Sequence, residues 1–327
     1  MLKRLSAILL LSLAACSQNS SNKDEKKIPV IGFADAFEDN TIAQARKGFT
    51  DALADSGFSE KANTLKIEYR NAQGSIPTLT QIIKYFISEE VTLIATCPSL
   101  PTITAVQSTK TIPVFMMVAP MPSLMKIEGK DGAAPANLYG VGDNLDYIDT
   151  SFTLIAKLAK PKAAKLSVGM LYNQAEPQSV DALNRIKKLA AAQNVTLVAL
   201  PVNSSADAQM VTRSLLGKGI DAFFANPDNT VFAAFETILK ACNEANVPVF
   251  TSESGLVARG AVAAYGADIY QWGYQSGAMA ATYLKSGATQ KPQVEMVKLR
   301  NRVYNAEAVK RFGIAVPADF VPVDSHP

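Results

Sequence analysis

The chain has one histidine, His326, beside its last residue, and only three cysteines in 327 residues. With so little imidazole and thiol, no Cys/His/Asp cluster has ligand spacing, and no Ser or Cys has a nearby His to activate it. A zinc site and triad-type nucleophilic catalysis are thereby set aside. Phosphate-binding loops are missing too. Gly140-Val141-Gly142 lacks the third glycine and the strand-turn-helix setting of a dinucleotide loop, and no Gly-rich loop carries Lys-Ser or Lys-Thr. The formal charge of +3 is small and spread out, with no Lys/Arg block beyond the first few residues. Nucleic-acid binding therefore has no electrostatic footprint.

What is present is an ordinary globular composition, long enough for two domains. The N-terminus is a different kind of sequence. Lys3 and Arg4 precede an apolar run from Leu5 to Leu13, too short to span a bilayer comfortably, and Leu13-Ala14-Ala15-Cys16 closes it. The pattern resembles a bacterial lipoprotein signal, which implies that residues 1–15 are cleaved, that Cys16 carries lipid, and that the protein is exported. A plain secretory signal is the alternative. Residues 16–27 are polar and read as a flexible tether, with the folded body starting near Ile28. Cys97 and Cys242, at a strand end in one half and mid-helix in the other, are expected as two free, buried thiols.

From Ile28 onward, β-rich runs alternate with helical patterns, the signature of parallel sheets built from βα units. The two halves repeat one unit. The run Val91 to Thr96 meets Cys97-Pro98-Ser99, a helix, and then Ile112-Pro113-Val114-Phe115. The strand Ile220 to Ala225 meets Asn226-Pro227-Asp228-Asn229-Thr230, a helix from Val231 to Ala245, and then Val247-Pro248-Val249-Phe250. The expected fold class is α/β, with two doubly wound parallel-sheet lobes joined by a multi-strand hinge. The expected lobes are residues 28–142 with about 266–290, and residues 143–265 with about 291–320. Crossings are expected near Gly140–Asp143 and at Gly266. Ile269 to Leu284 has Gly273, Gly277, Ala280 and Ala281 on one face, as a helix packed on a sheet would.

Several phrases, in this order and spacing, resemble the ABC-transporter substrate-binding lipoproteins of the tryptophan/tyrosine-binding type. They are Ala45 to Leu53, Tyr69 to Gly74, Leu171-Tyr172-Asn173, Pro227 to Thr230 and Ser252 to Gly255, and the likeness runs from about Ile28 to Gly313. The resemblance implies a type I periplasmic-binding-protein fold without enzymatic activity or cofactor. It also implies two lobes closing on a ligand, most often an amino acid, and delivery to a membrane permease with its ATPase. Two departures concern the ligand. The loop after the first strand reads Asp35-Ala36-Phe37-Glu38-Asp39-Asn40 where members often carry His-Pro, and Val118-Ala119-Pro120 stands where many have Thr-Asp-Pro.

Open α/β sheets bind ligands beyond the carboxyl ends of their strands, so the loops there supply the candidates. Ser99 and Asn229, at two helix starts, can meet a polar or anionic group; Ser99 can equally cap its own helix. Asp228 can pair with a ligand ammonium or serve as an N-cap. Asn173 offers donor and acceptor, or is a turn residue. Glu253 is a second ammonium partner, or a cap. Phe37, Tyr172 and Phe232 can wall an apolar side chain, while Trp272 is assigned to packing. Asp35 is a weaker loop candidate. An amino-acid ligand is preferred because acids and helix starts together suit a zwitterion; a nucleoside, a sugar, or a role as a ligand sensor signalling to a membrane receptor are alternatives. A racemase on such a fold needs an acid/base residue in each lobe, and the repeat places Asn226, which cannot move a proton, opposite Cys97.

Overall fold

The computed structural model describes residues 28–323. Cys16, its leader, the tether and His326 lie outside that span. The first lobe runs β1 (Val30–Asp35), α1 (Asn40–Asp55), β2 (Lys66–Asn71), α2 (Ile76–Ser88), β3 (Leu93–Cys97), α3 (Ser99–Ser108), β4 (Val114–Pro120), α4 (Pro122–Met125) and β5 (Leu138–Asp143). These strands pair in parallel in the order β2-β1-β3-β4-β5. Helix α1 starts where Asp39 Oδ1 accepts from the N–H groups of Thr41 and Ile42 at 2.7 and 3.1 Å. Its buried face is Ile42, Ala45, Phe49, Ala52 and Leu53, at helical spacing.

The second lobe follows as α5 (Asp146–Leu158), β6 (Ser167–Tyr172), α6 (Pro177–Ala192), β7 (Thr196–Pro201), α7 (Ala208–Leu216), β8 (Ala222–Ala225), α8 (Asn229–Ala233), α9 (Phe235–Glu244) and β9 (Val249–Thr251). Its parallel sheet has the order β7-β6-β8-β9. The helix expected from Val231 to Ala245 is thus two, with the break at Ala234. The chain continues through α10 (Ser254–Ala258), β10 (Ala263–Ala267), α11 (Ile269–Lys285), β11 (Val294–Met296), β12 (Arg300–Asn305), α12 (Ala306–Phe312) and β13 (Val321–Val323).

Two features depart from the sequence expectation. Val294–Met296, placed with the second lobe on sequence, pairs in parallel with β5 and extends the first sheet. Strands β10, β12 and β13 form a separate sheet in which β10 and β12 are antiparallel, so the second lobe is not wholly parallel. Strand β11 stops at Met296, and the chain crosses between lobes before β12 begins at Arg300.

There are accordingly three crossings: β5 to α5, β10 to α11, and β11 to β12. They are cross-tied. Arg300 is ion-paired with Asp143, Asn301 Nδ2 donates to Asp268 Oδ2 at 2.9 Å, and the Asp268 N–H donates to the Leu299 carbonyl at 3.1 Å. Helix α11 carries its small residues toward α1, not only toward the sheet. A Cβ on Gly273 would lie 1.9 Å from the Ala45 carbonyl oxygen, so the two backbones touch where no side chain fits.

Candidate functional site

The carboxyl ends of β1, β3, β4 and β5 face those of β8 and β9 across a cleft with about 550 Å³ of space unfilled by protein atoms, the open mouth included. The apolar part of its lining is Phe37, Ile42, Val118, Leu145, Phe232 and Trp272, drawn from both lobes. Trp272 packs as expected, its Nε1 donating to the Val141 carbonyl at 2.8 Å, but its ring also forms part of the cleft. Val118 reaches this lining through a bulge between Met116 and Ala119, where the β4/β5 register shifts, and holds φ at 51°. For a β-branched residue this is a backbone strain of about 1–3 kcal/mol, stored at the site.

Ser99 does not cap α3. The N-cap position is Pro98 and carries no side-chain cap bond. The Ser99 hydroxyl instead accepts from Asn229 Nδ2 at 3.0 Å and Gln178 Nε2 at 3.3 Å, both from the other lobe. Those two amides also donate to Glu176 Oε2, each at 2.6 Å, and Asn229 adds its backbone N–H at 3.0 Å. The lobes are therefore in direct hydrogen-bonded contact across the cleft, a closed arrangement.

Asp228 lines the cleft but is also a cap. One oxygen accepts from the Val231 N–H at 2.9 Å; the other accepts from the Asn173 N–H at 2.7 Å and the Ser179 hydroxyl at 2.5 Å. Asn173 is not among the lining residues. Its side chain bonds Thr230 and holds the β6 and β8 loops together. Burial raises the Asp228 carboxyl against the pull of these donors. Glu176 beside it is pushed up to about 7, by burial first and by the charge of Asp228 second.

At the other end, Glu253 occupies the N-cap position of α10 without making a cap bond, and its Oε1 accepts from the Tyr147 hydroxyl at 2.8 Å. Asp143 and Glu253 both line the cleft, and burial pushes both up to about 7 despite the nearby Arg300 guanidinium. The charged side chains that line the cleft are Asp143, Asp228 and Glu253, all acids.

Two further candidates, besides Asn173, fall outside. Tyr172 ends β6, and strand alternation turns its ring onto the face where Leu183 and Lys187 of α6 pack. Asp35 is 1% exposed at the end of β1, beneath the cleft, paired with Arg46 of α1. Residues that sequence reasoning missed are Asp143, Tyr147, Glu176, Gln178 and Arg300. Applying the strand-end rule to β5 finds Asp143. Nothing local in the sequence marks Arg300, which reaches the site through a crossing 157 residues further along.

Cys97 and Cys242 are free and buried. Among the described residues, no helix is long and apolar enough to cross a membrane.

A sequence profile for proteins described as ABC transporter substrate binding protein matches residues 27–323. The tyrosine-binding protein of Clostridioides difficile (strain R20291) is 32% identical over 284 residues, covering 84% of this chain and 80% of that one. Among solved structures, an ABC domain from Streptococcus pneumonia in complex with L-Trp superposes with a TM-score of 0.79 at 22% identity, covering 89% of this chain and 96% of that one. A substrate-binding protein from Clostridium difficile in its ligand-free, open form superposes with 0.64 at 27% identity, covering 91% and 100%. The architecture is the type I periplasmic-binding-protein fold, as the resemblance implied.

Proposed function

Because the chain belongs to the ABC transporter substrate-binding protein family, a family of binders and not of enzymes, we propose that it captures an amino acid with an apolar or aromatic side chain between its lobes and delivers it to an ABC permease and its ATPase. The observation that carries this reading is the pairing, in one interlobe cleft, of an aromatic lining (Phe37, Phe232, Trp272) with carboxylates at Asp143 and Glu253. The rings take the side chain, and the two acids take the ammonium in charge-assisted hydrogen bonds. The tyrosine-binding relative supports an aromatic ligand.

In this assignment Ser99, Asn229 and Gln178 close over the bound molecule, and Asp228 and Asn173 hold the loops that present them. Closure is a population shift. The ligand favours the form in which both lobes contact it at once, and that form is reached by bending at the three crossings.

The leader ending at Cys16 supports an exported protein tethered through residues 16–27 to the outer face of a membrane by lipid on that cysteine. Replacing Cys16 by Ser is then expected to release the protein from membranes.

Native mass spectrometry of protein purified without refolding tests the ligand assignment. A carried species with the mass of an amino acid is the expected result; the mass of a nucleoside or sugar would sink the assignment.

A further inference from the structure

We propose that Glu176, which lines no part of the cleft, is the positioning residue for lobe closure. It holds the Asn229 and Gln178 side-chain amides with their N–H groups toward Ser99, so that the second lobe closes as the donor and the Ser99 hydroxyl keeps its hydrogen for the bound molecule. This rests on the two-lobe capture reading above and not on the class of ligand captured.

Glu176 occupies the N-cap position of α6 but makes no cap bond there. Its side chain reaches instead to the start of α8. Oε1 accepts from the Thr230 hydroxyl at 3.2 Å and from Asn173 Nδ2 at 3.4 Å. Oε2 accepts from the Asn229 N–H at 3.0 Å and from Asn229 Nδ2 and Gln178 Nε2, each at 2.6 Å. The residue is 4% exposed, and these donors are what makes a carboxylate tolerable at that depth.

All of these partners belong to the second lobe. The arrangement is therefore complete before the first lobe approaches, and closure meets it through Ser99 Oγ, 3.0 Å from Asn229 Nδ2 and 3.3 Å from Gln178 Nε2. A closing surface set in advance loses less conformational freedom on contact than one that must be ordered.

The direction of the two amides follows from the carboxylate. An ionised carboxylate only accepts, so each amide turns its NH₂ group to Glu176. Gln178 keeps this orientation although its buried Oε1 has no hydrogen-bond partner among the described residues; turned over, it would set that oxygen against Glu176. Without Glu176 either amide is free to offer its oxygen to Ser99, and the hydroxyl hydrogen is then spent between the lobes. With Glu176 in place, both acceptor positions of the Ser99 hydroxyl are filled by amides and its hydrogen is left for an acceptor atom of the ligand.

Two conservative variants separate reach from charge. Glu176→Gln keeps an acceptor oxygen where Oε2 stands, whereas Glu176→Asp keeps the charge and withdraws it by one methylene. Calorimetric titration uses whichever of L-tyrosine, L-tryptophan, L-phenylalanine, ribose and adenosine the unmodified protein binds, and both variants are repeated on a Ser99→Ala background. Glu176→Gln is expected within threefold of the unmodified protein and Glu176→Asp weaker by about tenfold or more, with the Glu176→Asp loss falling below threefold once Ser99 is replaced. A larger loss in Glu176→Gln, a smaller one in Glu176→Asp, or a Glu176→Asp loss that persists without the hydroxyl overturns the assignment and makes Glu176 a structural residue of the second lobe. A second measurement needs no variant. In the ligand-free protein, the side-chain amide hydrogens of Asn229 and Gln178 should exchange with water more than tenfold slower by NMR than those of the exposed Gln73; faster exchange overturns the preset orientation. Ribose or adenosine as the ligand overturns the amino-acid reading alone and leaves Glu176 to be decided by the same two tests. Binding by no probe at millimolar concentration overturns the capture reading and this assignment with it.

Discussion

Arg259, at the end of α10 in the second lobe, is ion-paired with Asp39, the N-cap of α1 in the first. The pair is mostly buried, with side chains 11% and 2% exposed, and Arg259 also holds Glu236 on its own lobe. It joins the lobes at a point separate from the Ser99–Asn229 contact. Replacing Arg259 by Ala removes the tie and leaves Asp39 with its two backbone donors. Ligand affinity is expected to fall by about 1–3 kcal/mol. Small-angle scattering of the ligand-free variant should show a larger radius of gyration; unchanged scattering and affinity would refute a latch.

Asp228→Ala is expected to act on stability first. The substitution removes the α8 cap and leaves the Ser179 hydroxyl without its acceptor, while the Asn173 N–H keeps only its longer bond to Ser179 Oγ at 3.1 Å. Loss of a cap together with a buried unpaired donor amounts to about 2–4 kcal/mol in denaturant unfolding. A variant of native stability that fails to bind would instead make Asp228 a direct ligand contact.

The raised carboxyls predict a pH dependence of definite sign. Asp143 and Glu253 move from 3.8 and 4.5 to about 7 on folding. Between those values the folded chain holds more protons than the unfolded chain. The stability these groups contribute is thus full below about pH 4 and is lost as pH rises through about 7. Binding of an ammonium has the opposite dependence, since it needs the ionised form. Affinity should rise about tenfold per carboxyl between pH 6 and pH 8. Glu253→Gln should bind more weakly and show a flatter profile, and an affinity independent of pH in the unmodified protein would exclude the acids as ammonium partners.

Gly273→Ala tests the α1–α11 contact. The added Cβ meets backbone, the Ala45 carbonyl oxygen at 1.9 Å, which cannot move aside as a side-chain tip can. Helix separation is expected, with a stability loss of about 1–3 kcal/mol in thermal or denaturant unfolding. An unchanged midpoint would mean that the helices are not held so close.

Much of the architecture was legible because it rests on local pattern. The buried strands β1 and β3, the α1 face from Ile42 to Leu53, and the α2 span from Ile76 to Ser88 follow from apolar spacing and caps that act within a few residues. The region after Met296 was not legible. Met296 and Arg300 lie in one run of mixed apolar and basic residues, Met296-Val297-Lys298-Leu299-Arg300, with no turn signal, yet they belong to different sheets. Tyr172 was misplaced as a cleft wall for a similar reason, since which face a strand's last residue shows depends on what covers that face.

The order of residues alone determined the repeated βα units, the strand-end loops as the place for a site, and the presence there of Ser99, Asp228, Asn229 and Glu253. These follow from interactions between neighbours in the chain. Only the tertiary structure decided what each of them does. Ser99 is turned from a helix-cap candidate into an interlobe contact by two amides from the opposite lobe, and Asp228 is occupied by donors from β6 and α6. Glu253 is set beside Asp143 and Arg300 by crossings that bring distant segments together. A side chain's role depends on which groups surround it once water is excluded, and those groups come from parts of the chain that local pattern does not connect.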